Sequence, residues 1–305
     1  MVESNVFIGT IDSPEEVQKM YDVLGENVSK CKAIIRIHVD DSHSIIPLGS
    51  KFGCMLYEVE GIMEVCKKYN IPVVGIAFHV GSGNSEKEAY HNAIRDAKEA
   101  FKMGEKYGFT MNLLDLGGGW AGDLCDETLH NAGLEATHAV IRDSLQEFGF
   151  FDIPNFKLIA EPGRYMNYGT ISCLCKITGA YERNGYHYYR LSDSVLGLFK
   201  DVILCGNIGY RLLDENDSSR QCYPSRILGS SLLQYDYLRE VLSYDEHGNE
   251  KDVKDNYNLP ALQVGDYLKV SNIGAYTLSI SAATVRDNFS TVCVIRKSSL
   301  KEITA

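Results

Sequence analysis

The stretch Val73-Val74-Gly75-Ile76-Ala77-Phe78-His79-Val80-Gly81-Ser82-Gly83 begins as an apolar run of strand length and stops against a histidine and a glycine-rich turn. The pattern recurs downstream: Leu113-Leu114-Asp115-Leu116 runs into Gly117-Gly118-Gly119-Trp120, and Leu158-Ile159-Ala160 runs into Glu161-Pro162-Gly163-Arg164. In folds that alternate strands and helices, ligands sit at the C-terminal ends of parallel strands, so the residues after each strand carry the functional information. Glycines there let backbone N–H groups approach an anion, and Ser82 and Arg164 add a hydroxyl and a guanidinium suited to phosphate. Taken singly, a Gly-Gly-Gly is also a tight turn, and a strand-end histidine is also a satisfied structural residue. Three such turns at successive strand ends point to one shared anionic ligand.

Working outward, short apolar runs alternate with helical patterns from Val6 to about Pro162, as parallel strands with crossover helices require. The strand candidates are Val6–Thr10, Ala33–His38, Val73–His79, Leu113–Gly118 and Leu158–Glu161. Between them, Ser13–Leu24 has Asp12 and Ser13 as N-cap candidates and an apolar stripe of Val17, Met20, Tyr21 and Leu24. Tyr57–Tyr69, Ser85–Tyr107 and Leu134–Phe148 read as helices in the same way. Five such strands suit a barrel or a doubly wound sheet. After Met166 the pattern changes to closely spaced short strands: Thr170–Tyr181, His187–Leu191, Asp201–Leu204, Tyr267–Ser271 and Thr291–Arg296. Turn residues such as Asn184-Gly185 and His247-Gly248-Asn249 separate them. The division this implies is residues 1–166 as a β/α unit and 167–305 as an all-β domain, with the polar stretch Ser243–Asn258 as an exposed loop.

The whole-chain numbers bound the function classes. At 305 residues, 45% hydrophobic and 23% charged, the chain can bury a large core. A net charge of -11 without a basic run argues against nucleic acid. No apolar run reaches the length of a membrane span, so no membrane partner is expected. Nine scattered cysteines without a C-x-x-C pair, and an opening segment without a basic or apolar leader pattern, fit a reducing cytoplasm. Cys173 and Cys175 alternate with apolar residues and read as small hydrophobes on one strand face, so no metal is expected there.

The chain resembles the eukaryotic ornithine decarboxylases, fold-type III pyridoxal-phosphate enzymes, in IIRIHVDDS (Ile34–Ser42), SKFG (Ser50–Gly53), FHVGSG (Phe78–Gly83), LLDLGGGW (Leu113–Trp120), IAEPGRY (Ile159–Tyr165) and NIGAYT (Asn272–Thr277). The resemblance implies an α/β plus all-β protein: an incomplete (β/α)8 TIM-like barrel of the alanine racemase type, followed by a C-terminal β-barrel or sandwich domain. It further implies pyridoxal 5'-phosphate as cofactor. His79 would lie against the pyridoxal ring and Glu161 would pair with the pyridine nitrogen. Ser82, Gly119, Gly163 and Arg164 would surround the phosphate, with Tyr276 adding a hydroxyl and Arg36 standing at a strand end nearby. Asp193 would meet the distal amine of a diamino-acid substrate. The plainer readings stand beside these: Glu161 and Arg164 as a loop ion pair, Tyr276 as a core residue, and Asp193 as a turn former before Ser194.

Two departures from the family pattern shape the functional expectation. The family's Schiff-base lysine, in a P-x-Y-A-x-K type of motif, has no counterpart here, and Lys30, Lys32, Lys51, Lys67 and Lys68 do not stand in its context. The resemblance thus implies an N-terminally truncated relative whose upstream strands and lysine lie outside this sequence. The family's partner-inserted loop supplies a cysteine and an aspartate, but Leu232 and Leu233 stand at those places. Leucine can neither donate a proton nor pair with an ammonium group. The implied activity is decarboxylation of L-ornithine to putrescine in polyamine biosynthesis, absent from this chain alone. The alternative is a noncatalytic regulator resembling the antizyme inhibitors, acting on a polyamine-pathway protein, with antizyme as a candidate partner. Lys51 and Asp236 match family residues that bridge a homodimer or heterodimer interface.

Overall fold

The computed structural model describes residues 5–84, 86, 88–120, 134–201, 211–212, 220–238, 240–244, 250–254, 257–277 and 279–281 of the chain. Its first half is built from β1 (Ile8–Ile11), α1 (Pro14–Leu24), β2 (Lys32–Arg36), the short β3 (Ser44–Ile46), α2 (Val59–Lys68), β4 (Val73–Ala77) and the short β5 (Ser82–Asn84). It continues through α3 (Ala89–Tyr107), β6 (Leu113–Asp115), α4 (Leu134–Glu147), β7 (Lys157–Ile159) and α5 (Gly163–Asn167). Local chemistry sets these boundaries. The Ser13 hydroxyl accepts the Glu16 amide at 3.2 Å and starts α1, while Gly108, at φ +81°, ends α3 in the left-handed conformation a side chain rarely adopts.

The parallel sheet runs β1-β2-β4-β6-β7. The order never reverses along the chain. With right-handed crossovers, a non-reversing order keeps the helices on one side, which is the winding of a barrel; a doubly wound sheet would reverse at a switch point. Period-two alternation divides each strand between two faces. Ile35, Ile76 and Leu114 pack with Ile62 and Met63 of α2, Ile94 and Ala97 of α3 and Leu145 of α4. Their neighbours Ile34, Ala77 and Leu113 form a small separate cluster on the opposite face, the inside of the incomplete barrel. Apolar residues at the sheet margins stay open to solvent, among them Ile8, Leu158 and Ile159.

The second half contributes β8 (Cys173–Arg183), β9 (Tyr186–Leu191), β10 (Arg211–Leu212), β11 (Cys222–Leu228), β12 (Tyr237–Leu238), β13 (Glu240–Tyr244), β14 (Glu250–Lys254), β15 (Tyr257–Pro260) and β16 (Tyr267–Ser271). The main sheet follows β10-β16-β8-β9-β11-β12, with β15 on β11. Asn184 and Gly185 both take positive φ, 52° and 76°, as a two-residue hairpin between β8 and β9 demands. Cys175, Ile177, Tyr189, Leu191, Ile227, Leu259, Leu268 and Val270 form this domain's own core.

The expected loop at Ser243–Asn258 is corrected. It holds the end of β13, all of β14 and the start of β15, and β13 pairs antiparallel with β14. A two-strand ladder is bonded through the backbone and tolerates the polar residues that suggested a loop. The His247-Gly248-Asn249 turn, the strand expected at Thr291–Arg296, and residues 202–204 of the strand expected from Asp201 lie outside the described residues. Among the described residues no helix is long and apolar enough to cross a membrane, and no group of three metal-ligating side chains converges.

Candidate active site

The turns after β4, β6 and β7 are tied to one another by their backbones. After β4, the Gly81 amide donates to His79 Nδ1 at 3.0 Å, so Nδ1 is an acceptor and the ring proton belongs on Nε2. Burial, and then the nearby Arg36 guanidinium, push the His79 pKa down to about 4, which keeps this ring neutral. Beyond Gly81, Ser82–Asn84 is not a free turn: it pairs with Ser44–Ile46, and the Ser44 hydroxyl donates to the Val80 carbonyl at 2.6 Å. That small ladder braces Ser82 at the rim of the site.

After β6, the Asp115 carboxylate accepts the Gly117 amide at 2.9 Å. Gly117 and Gly119 take φ of +63° and +98°, and a Cβ at Gly119 would stand 2.6 Å from the Gly81 carbonyl oxygen. Both positions therefore need glycine. The Gly117 carbonyl accepts the Glu161 amide at 2.8 Å and the Trp120 indole N–H at 3.1 Å, while the Tyr90 hydroxyl donates to the Gly118 carbonyl at 3.1 Å. Trp120 and Tyr90 were not read as part of the site. The tryptophan directly after Gly-Gly-Gly was the available signal.

After β7, Glu161 precedes α5. Its pKa is raised, first by burial and then by Asp115, with Arg36 opposing. Asp115 is itself raised by burial. Arg164 points its guanidinium to Asp201, 2.6 Å from Nη1 to Oδ2, and stacks 4.8 Å from the centre of the Tyr276 ring. Tyr276 comes from the β domain, and a Cβ on Gly163 would lie 2.9 Å from its hydroxyl.

These groups enclose one cleft of about 400 Å³, counting the solvent at its mouth, lined by His79, Ser82, Gly83, Gly118, Gly119, Trp120, Glu161, Gly163, Arg164 and Tyr276. Seven residues singled out in the sequence thus meet here: His79, Ser82, Gly119, Glu161, Gly163, Arg164 and Tyr276. Arg36 stands behind the lining at the end of β2, its guanidinium 5.0 Å over the Phe52 ring.

Asp193 is not brought to the cleft. Its Oδ1 accepts the Ser194 and Leu198 amides at 2.6 and 3.1 Å inside the β domain, the turn-forming role that its sequence context also allowed. Asp236 is turned inward too, at 5% exposure, accepting the Val195 amide at 2.9 Å and the Ser231 amide at 2.7 Å. Within this chain the carboxylate that the resemblance sets against Lys51 of a second chain braces its own loop, one oxygen on each amide. Lys51 lies with its ammonium 5.2 Å over Phe52. Leu232 is fully exposed at the tip of its loop.

The sequence profile of the family described as "Pyridoxal-dependent decarboxylase, pyridoxal binding domain" matches residues 1–167. The chain belongs to the pyridoxal-dependent decarboxylases. Within that family it is 32% identical to an ornithine decarboxylase of Caenorhabditis elegans, over 95% of this chain and 65% of that protein. It is also 32% identical to antizyme inhibitor 2 of Mus musculus, over 81% of this chain and 52% of that protein. The chain thus spans roughly half to two thirds of the length of these relatives. Among solved structures, the arginine decarboxylase of Paramecium bursaria Chlorella virus bound to agmatine superposes with a TM-score of 0.77 at 29% identity, over 93% of this chain and 71% of that one. A lysine decarboxylase from Selenomonas ruminantium shares the fold at 23% identity and a TM-score of 0.73, over 98% of this chain and 72% of that one. As in these decarboxylases, a β/α barrel unit, here of five parallel strands among the described residues, is followed by a β domain.

Proposed function

We propose that the cleft binds pyridoxal 5'-phosphate, and that the chain is the cofactor-binding part of a decarboxylase acting on a basic diamino acid, with L-ornithine the favoured substrate and putrescine the product. The observation that carries this reading is the convergence of the three glycine turns on one cleft that also holds a neutral imidazole and a carboxylate whose pKa is raised. The donor set fits the cofactor: the Ser82 and Tyr276 hydroxyls and the backbone N–H groups of the glycine turns suit a phosphate, and Glu161 suits a pyridinium N–H. When bound, this cofactor supplies an electron sink for a carbanion formed on the substrate. A carboxylate raised by burial gains most from a cationic partner, so Glu161 holds the proton at the pyridine nitrogen. His79, neutral and hydrogen-bonded through Nδ1, offers a flat wall that adds no charge.

Among the described residues the cleft lining holds no lysine, so this chain's own groups bind the cofactor without a covalent bond. Trp120 is the only tryptophan and lines the cleft, which makes its fluorescence a direct reporter. Titration with pyridoxal phosphate is expected to quench Trp120 saturably, and borohydride should leave no phosphopyridoxyl adduct. An adduct on any lysine of this chain would overturn the noncovalent reading, and absence of quenching would overturn cofactor binding. Carbon dioxide release from ornithine, lysine and arginine should be at background for this chain alone.

A second reading, a noncatalytic regulator, is favoured by the exposed Leu232 where catalysis needs a proton donor and by the similarity to antizyme inhibitor 2. Capture of purified antizyme by the purified chain, together with failure to bind pyridoxal phosphate, would select it.

A further inference from the structure

Cys173 and Cys175 sit two residues apart on β8 with their sulfurs 3.5 Å from each other in an S–H···S contact. Of the six described cysteines, the pair differs from the rest in having a thiol as neighbour. Cys31, Cys54 and Cys66 are buried, and burial pushes the Cys54 and Cys66 thiols up to about 12, which keeps them unreactive near neutral pH. Cys222 is bonded to its own chain, its sulfur 3.6 Å from the Arg220 carbonyl oxygen. Cys173 is partly open to solvent while Cys175 is enclosed at 1% exposure. That is the arrangement of an attacking and a resolving thiol. The contact with Cys175 favours the thiolate at Cys173.

A second observation marks the same spot. Asp193 is 96% buried by its 4% exposure, and its Oδ2 has no hydrogen-bond partner. Its charge raises both thiols, opposing the thiolate that the contact with Cys175 favours at Cys173. Oδ1 is fixed by the Ser194 and Leu198 amides, so the carboxyl keeps its place in the fold near the pair.

We propose that Cys173 and Cys175 form a modification site that a hydroperoxide converts to an intrastrand disulfide. The Cys173 sulfur attacks the outer peroxide oxygen, forming an S–O bond and breaking the O–O bond; the leaving alkoxide takes up the thiol proton as an alcohol. The Cys175 sulfur then attacks Cys173, forming the S–S bond and displacing hydroxide, which leaves as water with the Cys175 proton. Both sulfurs are oxidised and the peroxide is reduced. Residues two apart on a strand stand about 6.6 Å apart at Cα, near the upper limit of about 6.8 Å that a disulfide spans. The bond therefore forms under strain, and strained disulfides are the easily reduced, reversible ones.

Trypsin releases Tyr165–Lys176, which contains both cysteines and no other. The full chain, reduced and treated with limiting hydrogen peroxide, is then denatured and alkylated before digestion. The expected result is this peptide unalkylated and two hydrogens lighter while Gln221–Arg226, which carries Cys222, remains alkylated, with two alkylations restored by dithiothreitol. In Cys173→Ser the light peptide should vanish and Cys175 should remain alkylated. The proposal is overturned if Tyr165–Lys176 stays doubly alkylated while Cys222 is oxidised, if Cys173 is linked to a different cysteine, or if it stops at sulfinic acid.

Discussion

Arg164 and Asp201 form a buried bidentate pair, Nη1 to Oδ2 at 2.6 Å and Nη2 to Oδ1 at 3.2 Å, with side-chain exposures of 8% and 3%. The guanidinium read from sequence as a phosphate ligand thus has its charge matched by a residue 37 positions downstream. Any phosphate in the cleft meets Arg164 as half of a neutral pair.

Removing one partner of such a pair strands a buried charge. Asp201→Ala is expected to cost about 3–5 kcal/mol in urea unfolding, whereas replacing both residues together by apolar ones should cost far less. A double-mutant cycle on the full chain checks this. A double variant that costs the sum of the Asp201 and Arg164 single variants would show that the pair carries no coupling.

At the glycine turns, backbone strain and binding should fail together. Gly119→Ala forces a side chain into φ +98° and toward the Gly81 carbonyl. The expected cost is about 1–3 kcal/mol of stability. Binding of pyridoxal phosphate, read from Trp120 quenching, should weaken further than that loss explains, because Gly119 lines the cleft. A variant that folds less stably yet binds normally would remove Gly119 from the phosphate site.

The barrel half was legible because its strands are continuous apolar runs, and because the residues after them are unusual enough to mark strand ends. The start of α1 at Ser13 and the hairpin at Asn184-Gly185 were legible for the same reason: each is fixed by residues adjacent in sequence. What sequence could not give is the partner of a charge. Nothing local distinguishes an Arg164 that awaits a phosphate from one that grips Asp201. Nothing distinguishes an Asp193 that meets a substrate from one that holds the amides of Ser194 and Leu198. The β3–β5 ladder was missed because Ser82-Gly83-Asn84 has turn composition, and its strand conformation is imposed by Ser44–Ile46 from another part of the chain.

His79 gives the protein a pH signature. Its folded pKa of about 4 lies below its ordinary value of 6.5, first because of burial and second because of Arg36, with Asp41 opposing. The unfolded chain binds a proton that the folded chain resists, so this contribution is complete above about pH 6.5 and is lost as pH falls toward 4. Urea midpoints measured from pH 7 to pH 4.5 should fall more steeply for the wild type than for His79→Gln. Parallel curves would show that His79 titrates normally.

The loop from Gly229 to Asp236 offers two neighbouring side chains with opposite expectations. Leu232 is fully exposed and touches nothing that its removal would uncover, so Leu232→Ser should change stability by less than about 0.5 kcal/mol. Asp236 accepts the Val195 and Ser231 amides within the fold, and Asp236→Ala leaves both donors without their charged acceptor. Hydrogen bonds to charged groups contribute about 1.5–3 kcal/mol each, so the expected loss is several-fold larger than for Leu232→Ser. Unfolding should be followed at several protein concentrations. If Asp236 acted across an interface between two chains, its cost would vanish on dilution; as an internal brace of its own loop, it should cost the same at every concentration.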